Sequence, residues 1–359
     1  MAALGGAEGL GNKSIAALVK FFGNAKAAWS ADVADLFKSG VRKNSLGAFI
    51  NFRAKHPDAP EKLAAYCDRQ KISLCSISDD DYPPVLKEID SPPMFFYYRG
   101  QLQPHAQRIG IVGSRENTNY GKGVALELAE QLAAAGLTVV SGAARGIDTF
   151  AHRGALRSGR TVAVLGCGIN FIYPPENKKL LEQITERGVV LSEFHPQMPP
   201  NPGTFPTRNR IIAGLSRGVV VVEAGEKSGA LITSTYAGDY GRDVFAIPGQ
   251  IYADKSRGCN ELIRDGATLI KNAQDILNEY NIESRAPAKV AKPVAEVKLE
   301  GIAAKVFDVI PSDGYITDDE ILMQVEELNL NELPTIMLAL DMKNLIVEDA
   351  GRYKRKVGG

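Results

Sequence analysis

Between Arg108 and Tyr280 the chain alternates short, nearly unbroken apolar runs with longer stretches in which apolar residues recur every three or four positions. The runs 109-IGIVG-113, 138-TVVSG-142, 161-TVAVLG-166, 189-VVLSE-193, 218-GVVVVEA-224, 243-DVFAIPG-249 and the short 267-ATLI-270 are rich in β-branched residues. Each predicts a strand buried on both faces. Such strands separated by amphipathic helices predict an α/β fold, an extended, Rossmann-like, doubly wound parallel sheet covered on both sides. Ligands in such sheets sit outside the carboxyl ends of the strands, so the turns after each strand are where chemistry belongs.

The flanking regions read differently. Residues 1–100 carry short helical runs such as 14-SIAALVKFFG-23 and 31-ADVADLFKSG-40, then the proline-rich 82-YPPVLKEIDSPPMFFYYRG-100. They predict a small helical domain, SAM- or helix-hairpin-helix-like, followed by an extended connector. The stretch GLGNKSIAALVKFFGN hints at a hairpin whose amides hold a DNA phosphate, but Gly, Lys and Ser open many short hairpins, and a structural or partner-contact role is favoured. Beyond residue 280, the Pro/Ala/Lys-rich 281–298 suits a mobile tether. Helical patterns at 301–310, 317–328 and 332–345 and a hairpin at 345–356 predict a winged-helix-like domain over 299–359. The expected domain proper for the sheet is 101–280.

Composition narrows the classes. With 359 residues, 45% of them hydrophobic, the chain has material for two or three packed domains. Cys67, Cys75, Cys167 and Cys259 are far apart and form no CxxC pair, which argues against a zinc site or a disulfide framework and for a reducing, cytoplasmic setting. The N-terminal stretch lacks the charged and apolar regions of an export signal, and no run approaches 18 apolar residues, so no membrane partner is expected. Charges balance at 42 Lys+Arg and 42 Asp+Glu, so a polyanion would have to be held by a local cluster.

The turns supply such clusters. They read 113-GSRENTNYG-121, 142-GAARGID-148, 166-GCGINFIYPPENKK-179, 193-EFHPQMPPNPGTFPTRNRIIAG-214 and 223-EAGEKSGALITS-234. Nearly all combine glycine, a hydroxyl or amide, and a cation where a helix begins, the chemistry of an anion site. A dinucleotide cofactor fails on detail, because the first strand leads into GSRENT and neither a GxGxxG nor a GxxxxGK[ST] loop is present. No cofactor is expected. Asp148 and His152, four apart on one helix face, could form an acid/base pair, but an Asp at a helix start and a His one turn later more often cap and pack. His195 has no nucleophile or metal ligand beside it, and Glu223 reads as a loop-orienting carboxylate, so no catalytic or metal-ligating set is assigned.

The ordered segments PPMFFYYRG, IGIVGSR, VVSGAARGIDTFAHRGAL, TVAVLGCGINFIYPPEN, LSEF, FPTRNRIIAGLS, EAGEKSGALITSTYAGDYGRDVFAIPG and GCNELIRDGA resemble the DNA-processing protein A family, DprA or Smf. The resemblance implies a protein with no established enzymatic activity. It implies sequence-independent binding of single-stranded DNA and loading of the RecA recombinase during natural transformation. It puts Ser114, Arg115, Gly142, Arg145, Gly168, Asn177, Lys178, Phe205, Arg208, Asn209, Arg210, Ser228 and Gly229 around the strand, and Asn260, Ile263 and Leu269 in a homodimer interface. The same superfamily contains phosphoribohydrolases with a PGGxGTxxE loop. The corresponding EAGEKSGALITS has no acid on its helix, which favours a binding module; a nucleoside-monophosphate hydrolase and a nucleotide sensor are the alternatives. From Lys298 to Lys356 seven Lys/Arg face twelve Asp/Glu, a net of about minus five, so the tail reads as a protein-contact module and not as a DNA reader.

Overall fold

The structure, a computed structural model, describes residues 1–282, 301–311, 314–325, 327–329, 332–342, 345–349 and 351–355. The tether expected at 281–298 lies, from residue 283 onward, outside them. The chain divides into two units, Met1–Arg285 and Ala286–Gly359.

The large unit is built on a nine-stranded sheet. Its strands are β1 (Ser73–Ser76), β2 (Phe95–Gly100), β3 (Arg108–Val112), β4 (Thr138–Ser141), β5 (Thr161–Val164), β6 (Val189–Ser192), β7 (Gly218–Val221), β8 (Asp243–Ala246) and β9 (Thr268–Leu269). Their order is β1-β2-β6-β5-β4-β3-β7-β8-β9. The seven strands β3 to β9, all expected from their apolar runs, are parallel; β1 and β2 are antiparallel additions at one edge.

Alternate residues serve opposite faces, as the pleat requires. Ile109, Ile111, Val139 and Val220 meet Leu128, Leu132, Ala151 and Ala155 of the helices Asn119–Ala134 and Ile147–Ser158. Val112, Val140, Val219 and Val221 meet Ile211, Ile212 and Leu215 of the helix Thr204–Leu215. Gly154 lets the first two helices close up, since a Cβ there would run into the Leu126 carbonyl.

The boundary expected at residue 100 is corrected. The stretch taken for a connector holds β2, whose FFYYRG pairs antiparallel with β6, and β1 pairs in turn with β2. The prolines flanking this segment hide a ladder strand that is in fact buried for half its length. Moreover, the N-terminal helices Asn12–Phe22, Lys43–Lys55 and Ala59–Arg69 share one core with the sheet, in which Leu18, Leu46 and Phe49 are continuous with Phe95, Tyr97, Leu165 and Val190. Asn12 fastens the first helix to the sheet: its Nδ2 donates to Glu193 and its Oδ1 accepts from the Met94 amide.

The smaller unit has helices Ile302–Val309, Asp318–Gln324 and Leu333–Met342 and a sheet of β10 (Ile316–Thr317), β11 (Ile346–Asp349) and β12 (Arg352–Arg355) in the order β10-β12-β11. Val306, Ile310, Ile321, Met337, Leu340 and Ile346 form its core. Thr317 and Glu320 make a reciprocal capping box at the second helix. Among the described residues no helix is long and apolar enough to cross a membrane.

Candidate nucleic-acid interface

The strand order turns at β3, which has β4 on one side and β7 on the other. The crevice outside their carboxyl ends is a cleft of about 710 Å³ between the turn after β3, the turn after β7 and the start of the helix Thr204–Leu215. Three hydrogen bonds tie the turns after β3 and β7 together. The Ser114 amide donates to the Glu223 carbonyl at 2.7 Å. The buried Glu223 carboxylate accepts from the Thr118 amide at 2.9 Å and from the Thr118 hydroxyl, holding the start of the next helix. Glu223 therefore orients loops, as expected from its position.

One wall of the cleft is a layered stack. The Arg115 guanidinium lies 5.4 Å from the centroid of the Phe205 ring, and the Tyr173 ring lies 5.4 Å from Phe205 at an angle of 34°. Together with Arg145 and Arg208 they border a smaller recess of about 170 Å³. A cation over an aromatic face offers a phosphate neutraliser and a stacking surface in one place. Across the cleft lie Lys227, Ser228 and Gly229 at the start of the helix Gly229–Asp239, and Lys255. The Ser228 hydroxyl accepts from the Ala230 amide, and a Cβ on Gly229 would meet nothing within 4 Å. Asn209 spans the floor, donating to the Gly229 carbonyl at 3.2 Å.

The turn after β4 is built differently. The amides of Gly142 and Ala144 donate to the Asp148 carboxylate at 3.1 and 3.4 Å. Arg208, only 4% exposed, donates to the carbonyls of Gly142, at 2.7 Å, and Val164. Burial pulls the Arg208 guanidinium down to about 10 while Asp148 pushes it up; burial raises the Asp148 carboxyl against the pull of Arg208 and the amides. A Cβ on Gly142 would come within 2.6 Å of the guanidinium, so only glycine fits over this pair. Asn177, fully buried, donates to the Ala143 carbonyl at 3.0 Å and to Thr149 at 2.8 Å, pinning Ala143 in the left-handed region at φ 53°. Arg145 points outward and is paired with Glu176.

The acid/base reading of Asp148 and His152 finds no support in this geometry. His152 is wholly buried; Thr161 donates to the Val139 carbonyl at 2.8 Å, so its hydroxyl accepts from His152 Nδ1 at 2.7 Å. The Nε2 atom is buried with no hydrogen-bond partner, and burial, aided by Arg208, lowers the imidazole to about 3.

Several residues expected around the strand lie elsewhere. Gly168 packs beneath the 195–198 segment, where a Cβ would meet the His195 and Pro196 carbonyls. Arg210 is buried in an ion pair with Glu193 and donates to the Ser91 carbonyl at 2.7 Å; it sits on the same helix as Arg208 but turned away from the cleft. Asn177 is likewise inaccessible. Lys178 is exposed at the start of its helix and lines neither cavity. Of the expected dimer contacts, Leu269 is 45% exposed on the edge strand β9, while Ile263 packs partly against the molecule's own core and Asn260 bonds through Oδ1 and Nδ2 to the backbone of Gly249.

Sequence reasoning missed Tyr173, Lys227 and Lys255. Tyr173 was in view within 166-GCGINFIYPPENKK-179, and its apolar neighbours Phe171 and Ile172, exposed in the structure, were the signal that this turn projects. Lys255 comes from a helix whose sequence carries no mark of facing the β3 turn.

Comparison with known proteins gives a family model described as DNA recombination-mediator protein A, which matches residues 73–281. Protein Smf of Synechocystis is 47% identical over 315 residues, covering 77% of this chain and 79% of that protein. The X-ray structure of DNA processing protein A from Streptococcus pneumoniae superposes with a TM-score of 0.69 at 37% identity, over 77% of this chain and 96% of that one. A structure of DNA processing protein A from Helicobacter pylori, described by its single-stranded DNA binding mode, gives 0.53 at 30% identity, over 58% and 96%. The family match begins at β1, so it takes in the two antiparallel strands with the parallel ones.

Proposed function

The chain belongs to the DNA recombination-mediator protein A family, and on that premise we propose that its cleft binds single-stranded DNA without regard to base sequence. The observation that carries the reading is the layer of Arg115, Phe205 and Tyr173 facing Lys227 and the helix start at Ser228. Bases stack on rings whatever their identity, and phosphates are met by cations and by a helix N-terminus, so affinity follows without a code. The H. pylori relative, described by single-stranded DNA binding, supports the same use of this fold. Gel shifts with single-stranded and duplex oligonucleotides test it: single strands should shift first, with affinity falling steeply in salt. Equal binding of both forms would overturn the single-strand preference, and release of free base from a nucleotide would replace it with the hydrolase reading.

Presentation of the bound strand to RecA in natural transformation is part of the proposal, on the family resemblance. So is a homodimer, a reading supported by the position of β9 at the sheet edge with Leu269 uncovered. Leu269→Glu, which puts two charges into a twofold contact, should give a folded monomer by light scattering; an unchanged mass removes this edge from the model. Ile263 is the poorer probe, since a charge there would also disturb the core it packs against. The element order of the small unit supports the winged-helix reading, and its acidic balance supports a role in protein contacts.

A further inference from the structure

We propose that the loop 248–253 carries a second stacking platform for the single strand, centred on Tyr252, over which the strand leaves the cleft. The inference rests on the single-strand reading above. Tyr252 is 89% exposed and its neighbour Ile251 72% exposed, the two highest exposures among the large apolar side chains of the large unit. Two adjacent side chains of this size in water leave an aromatic face free for a base to cover. The loop is nevertheless braced. Asn260 accepts from the Gly249 amide at 3.2 Å and donates to the Gly249 carbonyl at 3.1 Å, and the Tyr120 hydroxyl donates to the Pro248 carbonyl at 3.3 Å.

The loop is also attached to the cleft itself. It runs directly into the helix Asp254–Arg264, whose Asp254 and Lys255 line the cleft. The Ala224 amide donates to the Lys255 carbonyl at 2.8 Å and the Gly258 amide to the Ala224 carbonyl at 2.8 Å, sewing the helix start to the turn that leads to Lys227 and Ser228. Gly258 has no room for a Cβ against the Ala224 carbonyl, so this junction is close-packed. An uncovered tyrosine three residues before a cleft lysine, on a loop braced at Pro248 and Gly249, is the arrangement that single-strand binders use, aromatic faces for bases beside cations for the backbone.

The test is a length series. The full chain, Tyr252→Ala and Tyr252→Phe are titrated with oligo-dT from about 4 to about 16 nucleotides, ordinary site sizes for single-strand binding. Fluorescence anisotropy reads the affinity, with Arg115→Ala as a control on the cleft. Tyr252→Ala should weaken the long oligomers about tenfold, about 1.4 kcal/mol, and leave the shortest unchanged, whereas Tyr252→Phe, which keeps the ring, should match the wild type. Equal affinities for wild type and Tyr252→Ala at every length overturn the platform while Arg115→Ala still loses binding, and the cleft reading then survives alone. A uniform loss at all lengths, or a change in mass by light scattering, also overturns it, since Tyr252 would then be organising the cleft or a subunit contact. No binding by the wild type, with Arg115→Ala indistinguishable from it, removes both proposals together.

Discussion

The turns after β4 and β7 look alike as text, each a glycine-bearing segment with a cation at the start of a helix, yet they do opposite things. In 142-GAARGID-148 the amides of Gly142 and Ala144 are already engaged by the Asp148 carboxylate, and that carboxylate is countered by the buried Arg208. The cradle is filled from within. In 225–229 no side-chain carboxylate accepts from the backbone among the described residues, the hydroxyl of Ser228 caps the helix, and Lys227 and Gly229 face the cleft. A glycine-rich turn before a helix is thus an anion site only when the protein has not supplied its own anion. The Asp six residues after Gly142 is the feature that separates the two.

The largest effect expected on DNA binding follows from the open side. Phe205→Ala removes both the stacking face and the support for Arg115, and should weaken single-strand binding by at least tenfold, since one base on one ring is worth about 1 to 3 kcal/mol. Arg115→Ala should weaken it by a similar amount and lower the slope of log affinity against log salt by about 0.7 for the lost phosphate contact. A titration across salt for both variants checks this, and an unchanged slope for Arg115→Ala would move the site away from the stack. Binding abolished by Gly229→Ala but untouched by Phe205→Ala would place it wholly on the β7 side.

A smaller effect is expected from Arg145, the one side chain of the filled turn that points outward. Glu176 already neutralises it at an exposed position, where solvent screens such a pair and it contributes little. Arg145→Ala should therefore cost less than Arg115→Ala, and Glu176→Gln should strengthen binding by removing a negative charge from the path of the strand. If Glu176→Gln weakens binding instead, Glu176 is holding Arg145 in a required position and the turn after β4 belongs to the interface after all.

The same comparison shows how much could be read from the chain. All seven parallel strands were legible; β3 to β7 are buried along their whole length and their runs are almost wholly apolar, while β8 and β9, partly exposed towards the sheet edge, keep enough of an apolar run to be read. Strand β2 was not, since prolines nearby suggested a connector while its partner β6 lies some 90 residues away in the chain. Within the site, residue types were legible and directions were not. Arg208 and Arg210 are two apart on one helix, and both read as phosphate ligands. A two-residue step on a helix turns the side chain by more than half a circle, which sends Arg210 to Glu193 and leaves Arg208 beneath the cleft. Asn177 and Gly168 read as binding residues for the same reason, their chemistry being right and their burial invisible.

A still smaller effect is expected from the acidic tail. Deleting the chain from Lys298 should leave single-strand affinity within about tenfold, about 1.4 kcal/mol, because seven cations against twelve acids give that segment no field to attract phosphate. Anisotropy on the truncated protein, with its oligomeric mass checked, reads the result. A greater loss would mean that the tail holds DNA despite its charge.

The filled turn makes its own prediction, one with no effect on binding at all. His152 lies behind it, neutral, with Nδ1 bonded to Thr161 and Nε2 buried. In the unfolded chain its imidazole titrates near the ordinary value of about 6.5, whereas in the fold burial and Arg208 hold it at about 3. The unfolded state thus binds the proton more readily, so the stability due to the neutral ring is fully present above about pH 6.5 and is lost as pH falls from there toward 3, by about tenfold in the folding constant per pH unit. Chemical denaturation between pH 7 and 5 should show this slope in the wild type and a flatter one in His152→Gln, whose side chain does not titrate. The variant's single-strand affinity and salt slope at neutral pH should match the wild type, because His152 reaches neither the cleft nor solvent. The hydrolase reading requires the reverse, with nucleotide turnover abolished by His152→Gln or Asp148→Asn and a pH–rate profile bearing the imidazole's titration. A matching slope in denaturation together with intact DNA binding would assign Asp148 and His152 to the architecture of the turn, and a turnover that depends on either residue would undo that assignment.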